Sequence, residues 1–196
     1  RLFNFYTLKR NIQKVALFGT SADPPSNGHK KIIEELSKIY NLVISYASDN
    51  PYKKHSEDLY FRSLLLKTLI NDFNNPKISF DQDLSSPWAI SSIRKCKKKY
   101  NLIDIDFVIG SDLLDEIIVW KNINELFKEA NLFIIPRINH PIKEKSLKSL
   151  KELNAKFSIS SFKIPKISSS TIRGNINYSG LPQCLIPIIE KNNLYS

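Results

Sequence analysis

The sequence is poor in cysteine and has no long apolar run. Cys96 and Cys184 are its only cysteines, and their wide separation offers neither the close ligand spacing of a zinc site nor a disulfide framework. No apolar stretch approaches the roughly 20 residues that a membrane-spanning helix needs. These scarcities argue against disulfide-rich secreted proteins and helical membrane proteins, and they predict a protein of the reducing cytoplasm.

Acidic residues are also scarce relative to basic ones. Asp and Glu number 19 against 29 Lys and Arg, which gives a formal net charge of +10. An excess of positive charge favours anionic partners such as nucleotides, nucleic acid or a membrane surface. The lysine-rich stretch 95–99 is typical of a helix end, where positive charge is favourable. No basic patch interleaved with aromatic residues, of the kind that stacks single-stranded bases, is present. The sequence therefore favours small anionic ligands over nucleic acid, and it indicates no membrane partner.

Short apolar runs alternate with stretches of helical periodicity along the chain. The runs predict strands at 15–18, 42–47, 77–80, 105–109, 132–135 and 156–160. The periodic stretches predict helices at 26–39, 57–71, 87–100, 113–118, 123–129, 147–153, 168–175 and 182–192. Strands that alternate with helices imply a Rossmann-like, doubly wound parallel sheet in a three-layer α/β/α domain, here with C-terminal helices. We expect one domain over residues 14–196, preceded by an N-terminal arm at 1–13.

Ligands in such sheets bind at the carboxyl ends of the strands. The loops expected at that edge are 20–29, 48–56, 85–88, 110–112 and 136–140. The segment 167–173 joins them if the last part of the chain folds back over the sheet.

The first candidate site is the stretch Val15–His29, in which a buried strand is followed by a proline-containing loop and a helix start. Gly19 permits a sharp turn, Ser26 can cap the helix, and Gly28 leaves room for a ligand beside the backbone. A helix N-terminus attracts phosphates through its free N–H groups, and His29 in the first turn would add a ring N–H. An ordinary strand, loop and capped helix is the alternative interpretation.

The second candidate site is the stretch Ile167–Arg173, which holds three consecutive serines at a predicted helix start. Their hydroxyls and backbone N–H groups suit a phosphate, and Arg173, one turn further on, can bind it in a bidentate manner. Taken alone, the pattern is better explained by a capped helix with a surface arginine. Two such stretches in one chain favour a phosphate site.

Together, the two stretches resemble the signature motifs of the nucleotidyltransferase superfamily, whose members carry a (His/Thr)-x-Gly-His motif after the first strand. His29 matches the second histidine of that motif, whereas Ser26 stands at the position of His or Thr, where a hydroxyl cannot act as a cation. More narrowly, the chain resembles the bacterial nicotinate-nucleotide adenylyltransferases, in a cyanobacterial-type variant. The motif at 167–173 matches the family pattern with Ser170 in place of threonine.

The resemblance implies roles for residues in the middle of the chain. Lys53 would contact a phosphate, and Arg62 matches a family arginine in the next helix. Trp88 and Trp120 would lie at the pyridine ring, and Asp112 would bind ribose hydroxyls. Ala89 replaces a family threonine that contacts the ring carboxylate. The implied catalytic residues are His29, Lys53 and Arg173. The implied substrate-binding residues are Gly19, Thr20, Ser21, Ser26, Gly28, Trp88, Gly110, Asp112, Trp120, Arg137, Ile167, Ser168, Ser169 and Ser170.

The implied reaction is adenylyl transfer from ATP to nicotinate mononucleotide, which yields deamido-NAD and pyrophosphate in NAD biosynthesis. Mg²⁺ would accompany ATP, with few or no protein ligands of its own. Three alternatives stay open: a sibling enzyme such as a pantetheine-phosphate adenylyltransferase, a nucleic-acid-binding protein, and a nucleotide-binding protein without turnover. A homo-oligomer is compatible with the sequence.

Overall fold

The computed structural model describes residues 14–163, 169–173 and 178–195. The strands are β1 Val15–Thr20, β2 Leu42–Ala47, β3 Ile78–Phe80, β4 Asp106–Gly110, β5 Asn131–Ile135 and β6 Phe157–Ile159. The helices are α1 Asn27–Ile39, α2 Leu59–Asp72, α3 Ala89–Tyr100, α4 Ile123–Glu129, α5 Glu144–Glu152, α6 Ser169–Arg173 and α7 Ile186–Lys191. Short 3₁₀ turns lie at Gln82–Leu84, Ser111–Leu113, Ile117–Val119, Tyr178–Gly180 and Gln183–Leu185. No helix in this described part is long and apolar enough to cross a bilayer.

The six strands form one parallel sheet in the order β3-β2-β1-β4-β5-β6. The chain builds outward from β1 to β3 on one side, then returns to the centre and builds outward from β4 to β6 on the other. The loops after β1 and β4 therefore diverge, and they open a crevice at the carboxyl edge of the sheet. This topology confirms the predicted doubly wound fold.

Alternate side chains of β1 enter two separate apolar cores. Ala16 and Phe18 pack with α1, α2 and the C-terminal segment, whereas Val15 and Leu17 pack with α3 and α4 on the other face. Because both faces of the sheet are covered, its strands read as unbroken apolar runs instead of alternating patterns. The layers are thus helix, sheet and helix, as predicted.

The predicted helix at 113–118 is wrong, because this segment forms two 3₁₀ turns separated by residues 114–116. Tertiary hydrogen bonds hold its start. The hydroxyl of Ser111 donates to the carbonyl of His140 at 2.6 Å and accepts from the backbone N–H of Arg137 at 2.8 Å. The apolar spacing is helical, but these long-range bonds tie the segment to the loop after β5.

Other differences concern element ends. Helix α2 begins at Leu59 and not at 57, because the carboxylate of Asp58 accepts the N–H of Phe61 at 2.9 Å and caps the helix. Helix α3 begins at Ala89, with Trp88 as an extended N-cap residue. The predicted helix 182–192 is divided into a 3₁₀ turn and α7. The predicted N-terminal arm and both ends of the predicted helix 168–175 lie outside the described residues.

Candidate active site

The start of α1 holds the imidazole of His29 in one orientation. Ser26 is the N-cap residue, with extended backbone, and its backbone N–H donates to Nδ1 of His29 at 3.0 Å. The hydroxyl of Ser26 lies 2.9 Å from the same nitrogen. Because a backbone N–H can only donate, Nδ1 is an acceptor, and the ring hydrogen is on Nε2. Ser26 is buried against this ring, so its side chain acts on His29 and does not face open solvent.

The surroundings of His29 keep its ring neutral. Its pKa is lowered from 6.5 to about 4, first by burial and then by the positive charges of Arg137 and Lys53, while Asp112 opposes the shift. These three side chains come from the loops after β5, β2 and β4, and His29 follows β1. Four loops of the carboxyl edge thus converge around one imidazole, which offers a neutral Nε2–H donor at physiological pH.

Arg137 and Asp112 form an ion pair across the ends of two neighbouring strands. Nη1 of Arg137 lies 2.7 Å from Oδ2 of Asp112, and both side chains are partly exposed. A Cβ built at Gly110 would crowd the carboxylate of Asp112 and lie 3.3 Å from Cδ of Arg137. Gly110 therefore makes room for this pair, which places a cation and a carboxylate at the mouth of the crevice.

Helix α6 packs against the loop that precedes α1. Nη1 of Arg173 donates to the carbonyl oxygen of Asp23 and lies 3.7 Å from its carboxylate, and the hydroxyl of Ser169 donates to the carbonyl of Pro24 at 2.8 Å. The two sequence motifs therefore meet in space, although nearly 150 residues separate them in the chain. Ser170 is exposed on α6. Ile167 and Ser168 lie outside the described residues.

The carboxylate of Asp23 also holds the loop that contains Lys53. It accepts the backbone N–H groups of Ser56 at 2.7 Å and Glu57 at 3.2 Å, and it is almost completely buried. Lys53 itself is exposed three residues earlier. Asp23 thus joins three segments that each carry a predicted phosphate-binding residue: the loop after β1, the loop after β2, and α6.

Gly19 lies inside β1, where it does not form the predicted sharp turn. No described glycine has a positive φ. A Cβ at this position would instead lie 2.6 Å from the ring of Tyr46 on the neighbouring strand, which is closer than real Cβ contacts allow. The turn prediction is therefore wrong, and Gly19 is needed for close packing between strands. Thr20 accepts the N–H of Ala22 at 3.3 Å through its hydroxyl, and Gly28 is buried in the first turn of α1.

Arg62 is buried, and its guanidinium is engaged with carbonyl oxygens. It donates to the carbonyls of Ser21 at 2.8 Å, Ser48 at 2.9 Å and Glu57 at 3.1 Å. Arg62 therefore ties the loop after β1 to the loop after β2. Its contacts are those of a structural clamp. Among the predicted site residues, the partly exposed Arg137 and Arg173 and the exposed Lys53 carry accessible cationic groups at this edge.

The two predicted ring-binding tryptophans occupy different surroundings. Trp120 packs edge-to-face on Phe107 with ring centroids 6.4 Å apart, and it is partly buried against the core that contains α3 and α4. Trp88 contacts the ring of Tyr52, with ring centroids 5.8 Å apart, and the ammonium of Lys121, which lies 4.6 Å from the centroid of Trp88. Sequence reasoning missed Tyr52 and Lys121, because only the folded chain brings their loops to Trp88.

Comparison with known proteins agrees with this geometry. Residues 17–175 match the cytidylyltransferase-like family. A protein from Synechocystis sp. called probable nicotinate-nucleotide adenylyltransferase is 30% identical over 93% of this chain and 98% of its own length. A protein of the same name from Clostridium perfringens is 29% identical over 94% of this chain and 98% of its own length.

Solved structures share the fold. The nicotinic acid mononucleotide adenylyltransferase of Plasmodium falciparum, complexed with NaAD, has a TM-score of 0.75 and 24% identity, and covers 93% of this chain and 97% of its own. Its complex with APC has a TM-score of 0.72. Given the match over most of its length, the chain belongs to the cytidylyltransferase-like family, on the branch of the nicotinate-nucleotide adenylyltransferases.

Proposed function

We propose that this protein transfers the adenylyl group of ATP to nicotinate mononucleotide. The phosphate oxygen of the mononucleotide attacks the α-phosphorus of ATP, the bond from that phosphorus to the bridging oxygen of the β-phosphate breaks, and pyrophosphate leaves as deamido-NAD forms. The observation that carries the proposal is the meeting of the two motifs, with His29 and Arg173 bound to one loop at the sheet crevice. The names of its relatives and the NaAD complex of the Plasmodium enzyme support the substrate.

The role of His29 follows from its tautomer. A neutral Nε2–H at the start of α1 donates to an oxygen of the α-phosphate, where charge builds up as the leaving group departs. The N-terminus of this 13-residue helix adds free N–H groups and a partial positive charge. A pKa of about 4 keeps the ring neutral at physiological pH, so the proposed role of His29 is to donate a hydrogen bond to the developing charge.

The remaining cations hold phosphates in place. Lys53 is exposed on its loop and can follow a phosphate that moves during the reaction. Arg137 and Arg173 carry planar guanidinium groups suited to phosphate oxygens. Since the attacking group is itself a phosphate, no covalent enzyme intermediate is required, and catalysis rests on positioning and charge stabilisation.

We propose that Mg²⁺ enters with ATP as part of the substrate. Within residues 14–163, 169–173 and 178–195, no group of three or more His, Cys, Asp or Glu side chains is arranged to hold a metal ion. A magnesium ion coordinated mainly by water and phosphate oxygens fits such a surface. We also propose the cytoplasm as the site of the reaction, in keeping with two free cysteines. That nucleic acid is not a partner stays a prediction, as does a possible homo-oligomer.

A pyrophosphate-release assay tests the proposal. The purified protein is incubated with Mg-ATP and, in separate reactions, nicotinate mononucleotide, nicotinamide mononucleotide or phosphopantetheine. We expect release with nicotinate mononucleotide and formation of deamido-NAD in equal amounts, confirmed by chromatography. If pyrophosphate is released only with phosphopantetheine as the acceptor, the protein is a pantetheine-phosphate adenylyltransferase. If none is released with any of the three acceptors, the result supports a nucleotide-binding protein without turnover.

A further inference from the structure

Three loops of the carboxyl edge meet in an aromatic and cationic cluster. We call Tyr52, Trp88 and Lys121 the rim cluster; they follow β2, β3 and β4 respectively. In a parallel sheet, the loop after each strand and the start of the next helix lie at the same edge. Trp88 is the N-cap residue of α3, and Lys121 lies two residues before α4. The whole rim cluster therefore lies at the substrate edge.

The rim cluster is open to ligands and carries positive charge. Tyr52 is 84% exposed, Lys121 is exposed, and Trp88 is half-buried. The ammonium of Lys121 lies 4.6 Å from the centroid of Trp88 in a cation–π contact. None of the ion pairs among the described residues involves Lys121. Its charge is thus held at an aromatic surface with no carboxylate against it.

Such a cluster discriminates between flat ligands by their charge. Aromatic side chains stack on any planar ring, but an ammonium beside them adds charge attraction only where the ring bears a negative group. The proposed reaction has two ring-bearing substrates: adenine is uncharged, whereas the pyridine ring of nicotinate mononucleotide carries a carboxylate. The chemistry of the rim cluster therefore fits the pyridine acid better than adenine or the pyridine amide.

We infer that Lys121 is a specificity-determining residue that selects nicotinate mononucleotide over nicotinamide mononucleotide by pairing with the ring carboxylate. This inference rests on the proposed function and names the side chain that sets its preference. Tyr52 and Trp88 supply the surface on which the ring lies. Ala89, the next residue after Trp88, has no polar side chain, so Lys121 carries the only positive charge among these four residues.

The test compares Lys121→Gln and Lys121→Arg with the parent protein. Values of kcat/KM are measured for both mononucleotides at saturating Mg-ATP, and their dissociation constants are measured by calorimetry. Since hydrogen bonds to charged groups have free energies of a few kcal/mol, we expect Lys121→Gln to lower the acid-to-amide ratio roughly 10- to 100-fold. The loss is expected in KM and affinity for the acid, with the amide nearly unchanged, and Lys121→Arg should restore most of the ratio.

Lys148→Gln is the matched control. Lys148 is an exposed lysine on α5, 4.0 Å from Glu152, and its replacement removes the same charge without touching the rim cluster. We expect this variant to keep the parent ratio. An unchanged ratio in Lys121→Gln, or an equal loss for both mononucleotides, would overturn the inference.

The two proposals fail in different ways. If the parent protein releases no pyrophosphate with either mononucleotide, the proposed function is wrong. Calorimetry still decides the inference in that case, because equal affinities of the parent for the acid and the amide would contradict a selective Lys121. If the parent binds nicotinate mononucleotide more tightly than nicotinamide mononucleotide and Lys121→Gln abolishes this difference, the inference is supported even without turnover.

Discussion

The orientation and tautomer of the His29 ring depend on two features of the backbone. His29 lies in the first turn of α1, and the backbone N–H of Ser26 donates to its Nδ1. The motif predicts a histidine at this place but not its tautomer, because the tautomer depends on which nitrogen the turn engages. A serine that lacks the charge of the family's histidine still orients the ring. The substitution at position 26 is thus compatible with a working centre.

The lowered pKa of His29 predicts a specific pH response. In the unfolded chain a histidine titrates near 6.5, so between pH 6.5 and about 4 the unfolded state binds more protons at this site than the folded state. The contribution of His29 to the free energy of unfolding should therefore be constant above pH 6.5 and fall as the pH drops toward 4. Denaturant unfolding of the parent and His29→Gln across this range measures the difference.

Nitrogen NMR of the labelled parent protein adds a direct readout of the same group. We expect a neutral ring with its hydrogen on Nε2 at pH 7 and protonation only as the pH approaches 4. Titration of His29 at its ordinary value near 6.5, or a hydrogen on Nδ1, would contradict the arrangement.

Individual side chains show where sequence reasoning ends. Gly19 was predicted from turn chemistry, but its real constraint is the ring of Tyr46 on the next strand, which a sequence does not place. Arg62 matched a family arginine, yet its guanidinium is used by three carbonyl groups from two loops. Residue types were therefore predictable at this scale, and their contacts were not.

At the scale of elements, Asp23 is the junction of the site. Its carboxylate accepts two N–H groups from the loop after β2 and faces Arg173 on α6, while its carbonyl accepts from the same arginine. A buried carboxylate with several donors is held firmly, because leaving those donors unpaired is costly. We therefore expect Asp23 to position Arg173 without touching a substrate itself.

Asp23→Asn should raise the KM for ATP several-fold more than it lowers kcat. The amide keeps part of the hydrogen bonding but loses the charge that faces Arg173. If Asp23 acts through that arginine, the effects of Asp23→Asn and Arg173→Ala on the KM for ATP will be non-additive in a double-mutant cycle. Steady-state kinetics of the four proteins measures this coupling.

Asp72→Asn is the control for that cycle, since Asp72 pairs with Lys30 at 3.2 Å on the exposed side of α1 and α2. It removes the same charge and should leave the KM for ATP within error of the parent. Additive effects of Asp23→Asn and Arg173→Ala, or a loss in kcat alone, would contradict a positioning role.

Element prediction succeeded where burial dictates the pattern. The strand Leu42–Ala47 and the helix Ile123–Glu129 match their predicted ranges, since apolar runs and periodicity are local signals. The segment from Ser111 to Val119 did not match, because its shape is set by hydrogen bonds to residues 137 and 140. Local patterns thus predicted the scaffold better than the loops that carry the site.

For the whole molecule, the order of the strands brings the predicted residues together. Loops after β1, β2, β4 and β5 all contribute to the environment of His29, and α6 closes on the first of them. Alternating strands and helices predict this edge as the binding edge. They do not predict that Tyr52 and Lys121 both contact Trp88, because these contacts depend on three loop conformations.

The turnover number of His29→Ala tests the central claim most directly. We expect kcat with Mg-ATP and nicotinate mononucleotide to fall roughly 10²–10³-fold, as when one donor to transition-state charge is removed, while the melting temperature stays close to that of the parent. A folded His29→Ala protein whose kcat lies within a few-fold of the parent would contradict the account.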